Sequence, residues 1–134
     1  TAGVLCMGLL LGGARPALVA LLALPAAAGG LATAGFHTYL VHNGTLECPA
    51  GLLGIGTGPE QSLVLHALLV LVLLIAVFAG NKVATEALAA FGALVLGGAL
   101  AGGAIWSAPP LPQPRPYDVP LERDGCQPVY RAPL

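Results

Sequence analysis

Charge is what this chain lacks. Between Pro16 and Trp106 the only formally charged side chains are Glu47, Glu60, Lys82 and Glu86, and each falls between or at the ends of long apolar runs. At 57% hydrophobic and 8% charged residues, a monomer of 134 residues cannot cover itself with polar surface. A water-soluble globular protein is thereby excluded. Five Lys and Arg against six Asp and Glu leave no basic stripe, so no nucleic-acid partner is expected. The Gly-rich stretch GLLGIGTG lacks the Lys and the strand context of a phosphate-cradling loop. The HEXXH, CxxC and CxxCH signatures are absent as well, and the chain has only three cysteines.

What is present is apolar length. A spanning helix needs about 20 mostly apolar residues, and three segments supply it. The reading is an all-α integral membrane protein with the lipid bilayer as its solvent. Three full transmembrane helices, about 16–41, 58–80 and 83–107, form an antiparallel bundle. Residues 1–107 make up the transmembrane helical bundle, and 108–134 an extended Pro-rich tail. The apolar run at about 1–12 is too short to span, has no signal-peptide pattern, and reads as a partial helix whose beginning lies outside this sequence.

Local signals divide these pieces. Pro25, Gly29 and Gly30 predict a bend in the first full helix, packed against a neighbour that re-satisfies the freed carbonyl. The loop HNGTLECPAGLLGIGTGPE is too rich in Gly and Pro to be one helix, and its LLGI centre is apolar enough to dip into the interface. Thr57-Gly58-Pro59-Glu60 has the T-x-x-E form of a capping box, which starts the second helix near Gly58. Gly80-Asn81-Lys82 is a short turn that returns the third helix antiparallel to the second as a hairpin. In that third helix Gly98 and Gly102 form a GxxxG step suited to close helix packing. Glu86 in its first turn is read as a partner of the helix dipole, and Trp106 as an interfacial aromatic.

Connectivity puts the Arg15 and Lys82 turns on one side and the Cys48 loop and tail on the other. The Cys48 loop has two Glu and no Lys or Arg, so it and the tail are placed outside the cytoplasm. Asn43-Gly44-Thr45 matches a glycosylation sequon, a three-residue pattern frequent by chance. On that oxidising face Cys48 and Cys126 are candidates for a disulfide closing a circuit of roughly eighty residues, worth about 2–4 kcal/mol in the chain-entropy description. Two free thiols are the alternative. Cys6, in an apolar run, reads as a small buried packing residue.

Three histidines lie toward the same side. His37 and His66 are the pair that could hold a metal, haem or quinone, since ligand-type groups in a membrane default to functional hypotheses. His37 and His42 are turned roughly 140° from each other on an ideal helix, so they do not ligate one ion together. Separate interfacial hydrogen bonding of the three is the competing reading.

Helix, outer Cys-Pro loop, helix, short inner turn, helix and outer Cys-bearing segment, together with GLATAGFHTYLVHNGTLECPAG at residues 30–51, resemble the disulfide-bond-formation B family. The resemblance implies a quinone-linked thiol oxidase of a bacterial inner membrane. Cys48 would then stand for the first cysteine of the family's CxxC and Cys126 for a cysteine of its second outer loop. Gly51 occupies the place of the second CxxC cysteine, and no arginine follows on the next helix.

Three functions are therefore expected in order. The first is a non-catalytic subunit that packs with other membrane protein subunits into a larger complex, an energy-transducing one among the candidates. The second is a membrane thiol-disulfide oxidoreductase or a degenerate relative. The third is a small haem or copper protein using His37 and His66.

Overall fold

The computed structural model of this chain describes residues 16–79, 83–110 and 125–128. Helix α1 covers Pro16–His42, α2 Gly58–Phe78 and α3 Val83–Trp106, with a 3-10 turn at Leu52–Gly54. Two short strands, β1 at Leu46–Glu47 and β2 at Gln127–Pro128, complete the order. All three α-helices are long and apolar enough to cross a membrane. The partial helix at 1–12 with Cys6, the turn at 80–82, the side chain of Glu86 and most of the Pro-rich tail lie outside the described residues.

Helix α1 is the centre of the bundle. It packs against both α2 and α3, whereas α2 and α3 touch each other little, unlike the side-by-side hairpin that the short turn predicts. The buried core is built from small and medium side chains: Ala20, Ala23, Leu24 and Ala27 of α1, Val70, Leu73 and Val77 of α2, and Ala90 and Ala93 of α3. Small residues of this kind gain little from burial itself. They let backbones approach, so dispersion and close fit carry the association.

The α1–α3 crossing shows this most clearly. Helix α1 continues without interruption through Pro25, although proline cannot donate to the carbonyl of Leu21. At this level a methyl group on Gly97 would run into the Pro25 carbonyl oxygen and lie 2.8 Å from Ala28 Cβ, and one on Gly29 would lie 3.3 Å from the Gly97 carbonyl oxygen. Ala90, Ala93 and Ala101 are buried on the same face of α3. The close approach expected at Gly98 and Gly102 is thus made by Gly97, one residue and roughly 100° around the helix. Gly98 and Gly102 are exposed, and a methyl group on either would find no atom of the described residues outside its own helix within 4 Å.

Roughly 100° around α1 from Gly29, Gly30 receives the ring of His66 from α2, and Leu63 approaches Gly35. These contacts run antiparallel: the later residue of α1 meets the earlier residue of α2. Beyond the helices, β1 and β2 pair antiparallel with Leu46 opposite Pro128 and Glu47 opposite Gln127. The tail, expected to be extended, thus contributes one strand of a short ladder.

Candidate functional site

The residues singled out by chemistry converge at the end of the bundle where α1 finishes and α2 begins. Helix α1 stops in a left-handed turn. Gly44 has φ +63°, its N–H donates to the Val41 carbonyl at 3.0 Å, and the Thr45 N–H donates to the Leu40 carbonyl at 2.9 Å. This pair of bonds is the Schellman arrangement, with Gly44 at the position that favours a residue without Cβ. It turns the chain back so that Leu46, Glu47 and Cys48 lie beside the tail.

Cys48 and Cys126 are bonded, with their Cα atoms 4.1 Å apart. They occupy the next position in the register that pairs Leu46 with Pro128 and Glu47 with Gln127. The bridge thus extends the ladder. Cys48 is half-buried and Cys126 exposed, so solvent reaches the bridge from the tail side.

After Pro49 the chain makes a compact loop closed at its base by an antiparallel bridge between Ala50 and Thr57. Inside it the Gly51 N–H donates to the Gly56 carbonyl at 2.8 Å and the Gly54 N–H to the Gly51 carbonyl at 3.0 Å. Gln61, in the first turn of α2, clamps this loop. Its Oε1 accepts from the Leu52 N–H, and its Nε2 donates to the carbonyls of Leu52 and Ile55, each at 2.8 Å. Gly51 sits directly against that amide, where a Cβ would collide with it. Glu60 completes the helix start as expected, accepting the Thr57 N–H at 2.7 Å.

The clamp has a cost and a result. Leu53 is held at φ +63°, a region that disfavours a side chain by about 1–2 kcal/mol. Leu52, Leu53 and Ile55 stand 77%, 88% and 69% exposed. Between them and the first two turns of α2 lies a cleft of about 570 Å³, lined also by Gly56, Glu60, Gln61, Val64 and Leu65.

The histidines do not meet. His66 lies over Gly30, and its Nδ1 is 2.9 Å from the Ser62 carbonyl oxygen. His37 is exposed and sits seven residues beyond Gly30, roughly 10 Å further along α1. His42 bonds the Thr38 carbonyl at 3.1 Å and approaches Glu60 Oε1 at 3.9 Å. The His66 and His42 rings are thus engaged separately, and no group of three or more His, Cys, Asp or Glu is placed to hold a metal among the described residues. The quinone or haem expectation for His37 and His66 gains no shared site from this arrangement.

Chemically, this end of the molecule offers one solvent-reachable disulfide, one rigid apolar loop and one apolar cleft. The clamp made by Gln61 and the left-handed backbone of Leu53 are not foreseen by the sequence reading. A polar amide at a helix start, facing a loop with few side-chain hydrogen-bonding groups of its own, was the available signal for the first. Comparison with protein-family models, with characterised proteins and with solved structures finds no match for this chain.

Proposed function

We propose that this chain is a non-catalytic polytopic subunit that packs into a larger protein complex of the bacterial inner membrane. The observation that carries the reading is the outward-facing step at Gly98 and Gly102, unoccupied by the described residues of the chain's own bundle. Such a notch admits a second helix backbone at short range. The bridge at Cys48 and Cys126 ties the tail to the loop, in keeping with a tail laid along a partner outside the cytoplasm.

Gentle detergent extraction followed by native mass analysis tests the proposal. Migration with other subunits in fixed stoichiometry, lost in a Gly98→Ile, Gly102→Ile double variant that keeps its helix content, is the expected result. A native species of this chain alone overturns it.

The exposure of Cys126 favours a second reading, a thiol-disulfide oxidoreductase. A substrate dithiol would reduce the Cys48–Cys126 bridge to two thiols and leave as a disulfide, and a quinone would take the two electrons and two protons on reoxidation. Quinone-dependent return of the reduced pair to the bridge supports that reading. Reduced thiols that persist with quinone present argue against it. Loss of an absorbing cofactor on His37→Ala or His66→Ala would instead support a haem or copper protein.

A further inference from the structure

A loop that leaves a helical bundle for water normally turns its large apolar side chains inward, because exposing them is unfavourable. The loop at residues 51–57 does the reverse. Gln61 fixes its backbone through three hydrogen bonds, and Leu52, Leu53 and Ile55 project outward from that fixed frame. The loop also does not stand clear of the helix. Its cleft reaches Val64 and Leu65, six and seven residues beyond the start of α2 at Gly58, roughly 10 Å along the helix axis.

The exposed apolar surface continues from there without a break. Below Val64 and Leu65, Leu68, Leu71 and Val72 are exposed along α2, within a segment long and apolar enough to span a membrane. The only polar side chains lining the cleft are Glu60 and Gln61, and the Gln61 amide is spent on the loop backbone. The occupant that matches this surface is aliphatic.

We propose that the 52–55 loop is a re-entrant lipid anchor. Leu52, Leu53 and Ile55 enter the outer acyl region of the bilayer, and a phospholipid acyl chain lies in the cleft between the loop and the first two turns of α2. This inference rests on the membrane reading of α2. Amphipathic segments of comparable chemistry bury their apolar face about 5–10 Å into the headgroup–acyl boundary. Here the burial is achieved by a loop whose shape is fixed by a helix side chain.

The test uses the purified full chain in phospholipid vesicles, with Trp106→Phe to remove its one tryptophan. Single tryptophans are then introduced as Leu53→Trp, Ile55→Trp and, as a reference in mid-helix, Leu71→Trp. Because all three positions are exposed, none of these changes displaces packed core. Lipids brominated at shallow acyl positions are expected to reduce the Leu53→Trp and Ile55→Trp emission by about half or more, with little quenching by aqueous acrylamide. Leu71→Trp is expected to respond to deeply brominated lipid. If Leu71→Trp responds while the two loop tryptophans are quenched by acrylamide alone, the loop lies in water and the anchor is overturned. Loop tryptophans protected from both quenchers would mean a protein cover, which also overturns it. If Leu71→Trp is itself blind to brominated lipid, the membrane reading fails, and the anchor fails with it.

Discussion

His66 lies across Gly30, so that the ring of one helix occupies the space where the other has no side chain. The contact joins α1 to α2 at a point where a side chain on residue 30 would require the ring to move. Gly30→Ala is expected to force the ring from its place and strain its bond to the Ser62 carbonyl, lowering stability by about 1–3 kcal/mol. A Gly30→Ala, His66→Ala double variant should recover part of that loss. Thermal unfolding in detergent for the four members of the cycle checks it, and additive losses would show that the two residues are not coupled.

A sharper contrast is expected on α3. A methyl group at Gly97 meets backbone, the Pro25 carbonyl, while at Gly98 and Gly102 it meets nothing among the described residues. Gly97→Ala should therefore lower the unfolding temperature markedly. Gly98→Ala and Gly102→Ala should leave the isolated chain's unfolding within about 0.5 kcal/mol of the parent. Equal effects at all three positions would mean that α3 is rotated from the arrangement described above.

Breaking the bridge should act on the tail from either end. Cys48→Ser and Cys126→Ser are expected to raise protease sensitivity of the tail to the same extent, with the helices intact, and to cost about 2–4 kcal/mol. Limited proteolysis of both variants, with and without reductant, reads this directly. A difference between the two variants under oxidising conditions would count against the pairing.

The loop clamp can be dismantled in steps. Gln61→Glu keeps an acceptor for the Leu52 N–H and removes both bonds donated by Nε2. Gln61→Leu removes all three. Amide exchange across residues 51–56 should rise in that order, and a loop whose exchange is unchanged by Gln61→Leu would not be held by this side chain.

Much of this architecture was legible in the chain. Apolar length marked three helices, which end at His42, Phe78 and Trp106 where the sequence reading placed them at 41, 80 and 107. Thr57 and Glu60 announced the start of α2, because a capping box is a local interaction between residues three apart. Rotational phase was less accessible. GGALAGG contains overlapping small-residue steps, and choosing Gly97 over Gly98 requires knowing that Pro25 and Ala28 lie opposite. The same holds for the histidines, whose spacing left a meeting of His37 and His66 open until the position of Gly30 placed His66 against it. The clamp made by Gln61 was hidden for another reason: its three partners are backbone groups, which a sequence does not distinguish from any others.

The bridge between Cys48 and Cys126 also gives the polypeptide a lariat topology. Helices α2 and α3 lie on the closed ring, while α1 lies on the open arm that precedes Cys48. The helix at the centre of the packing is thus the one outside the covalent circle. Even in a fully unfolded oxidised chain, α2 and α3 remain joined at both ends, and α1 alone can detach and return without a covalent bond being broken. A single backbone cut between α2 and α3 would leave one covalent molecule until reductant is added, whereas a cut within α1 would leave two pieces that the Cys48–Cys126 bridge does not join.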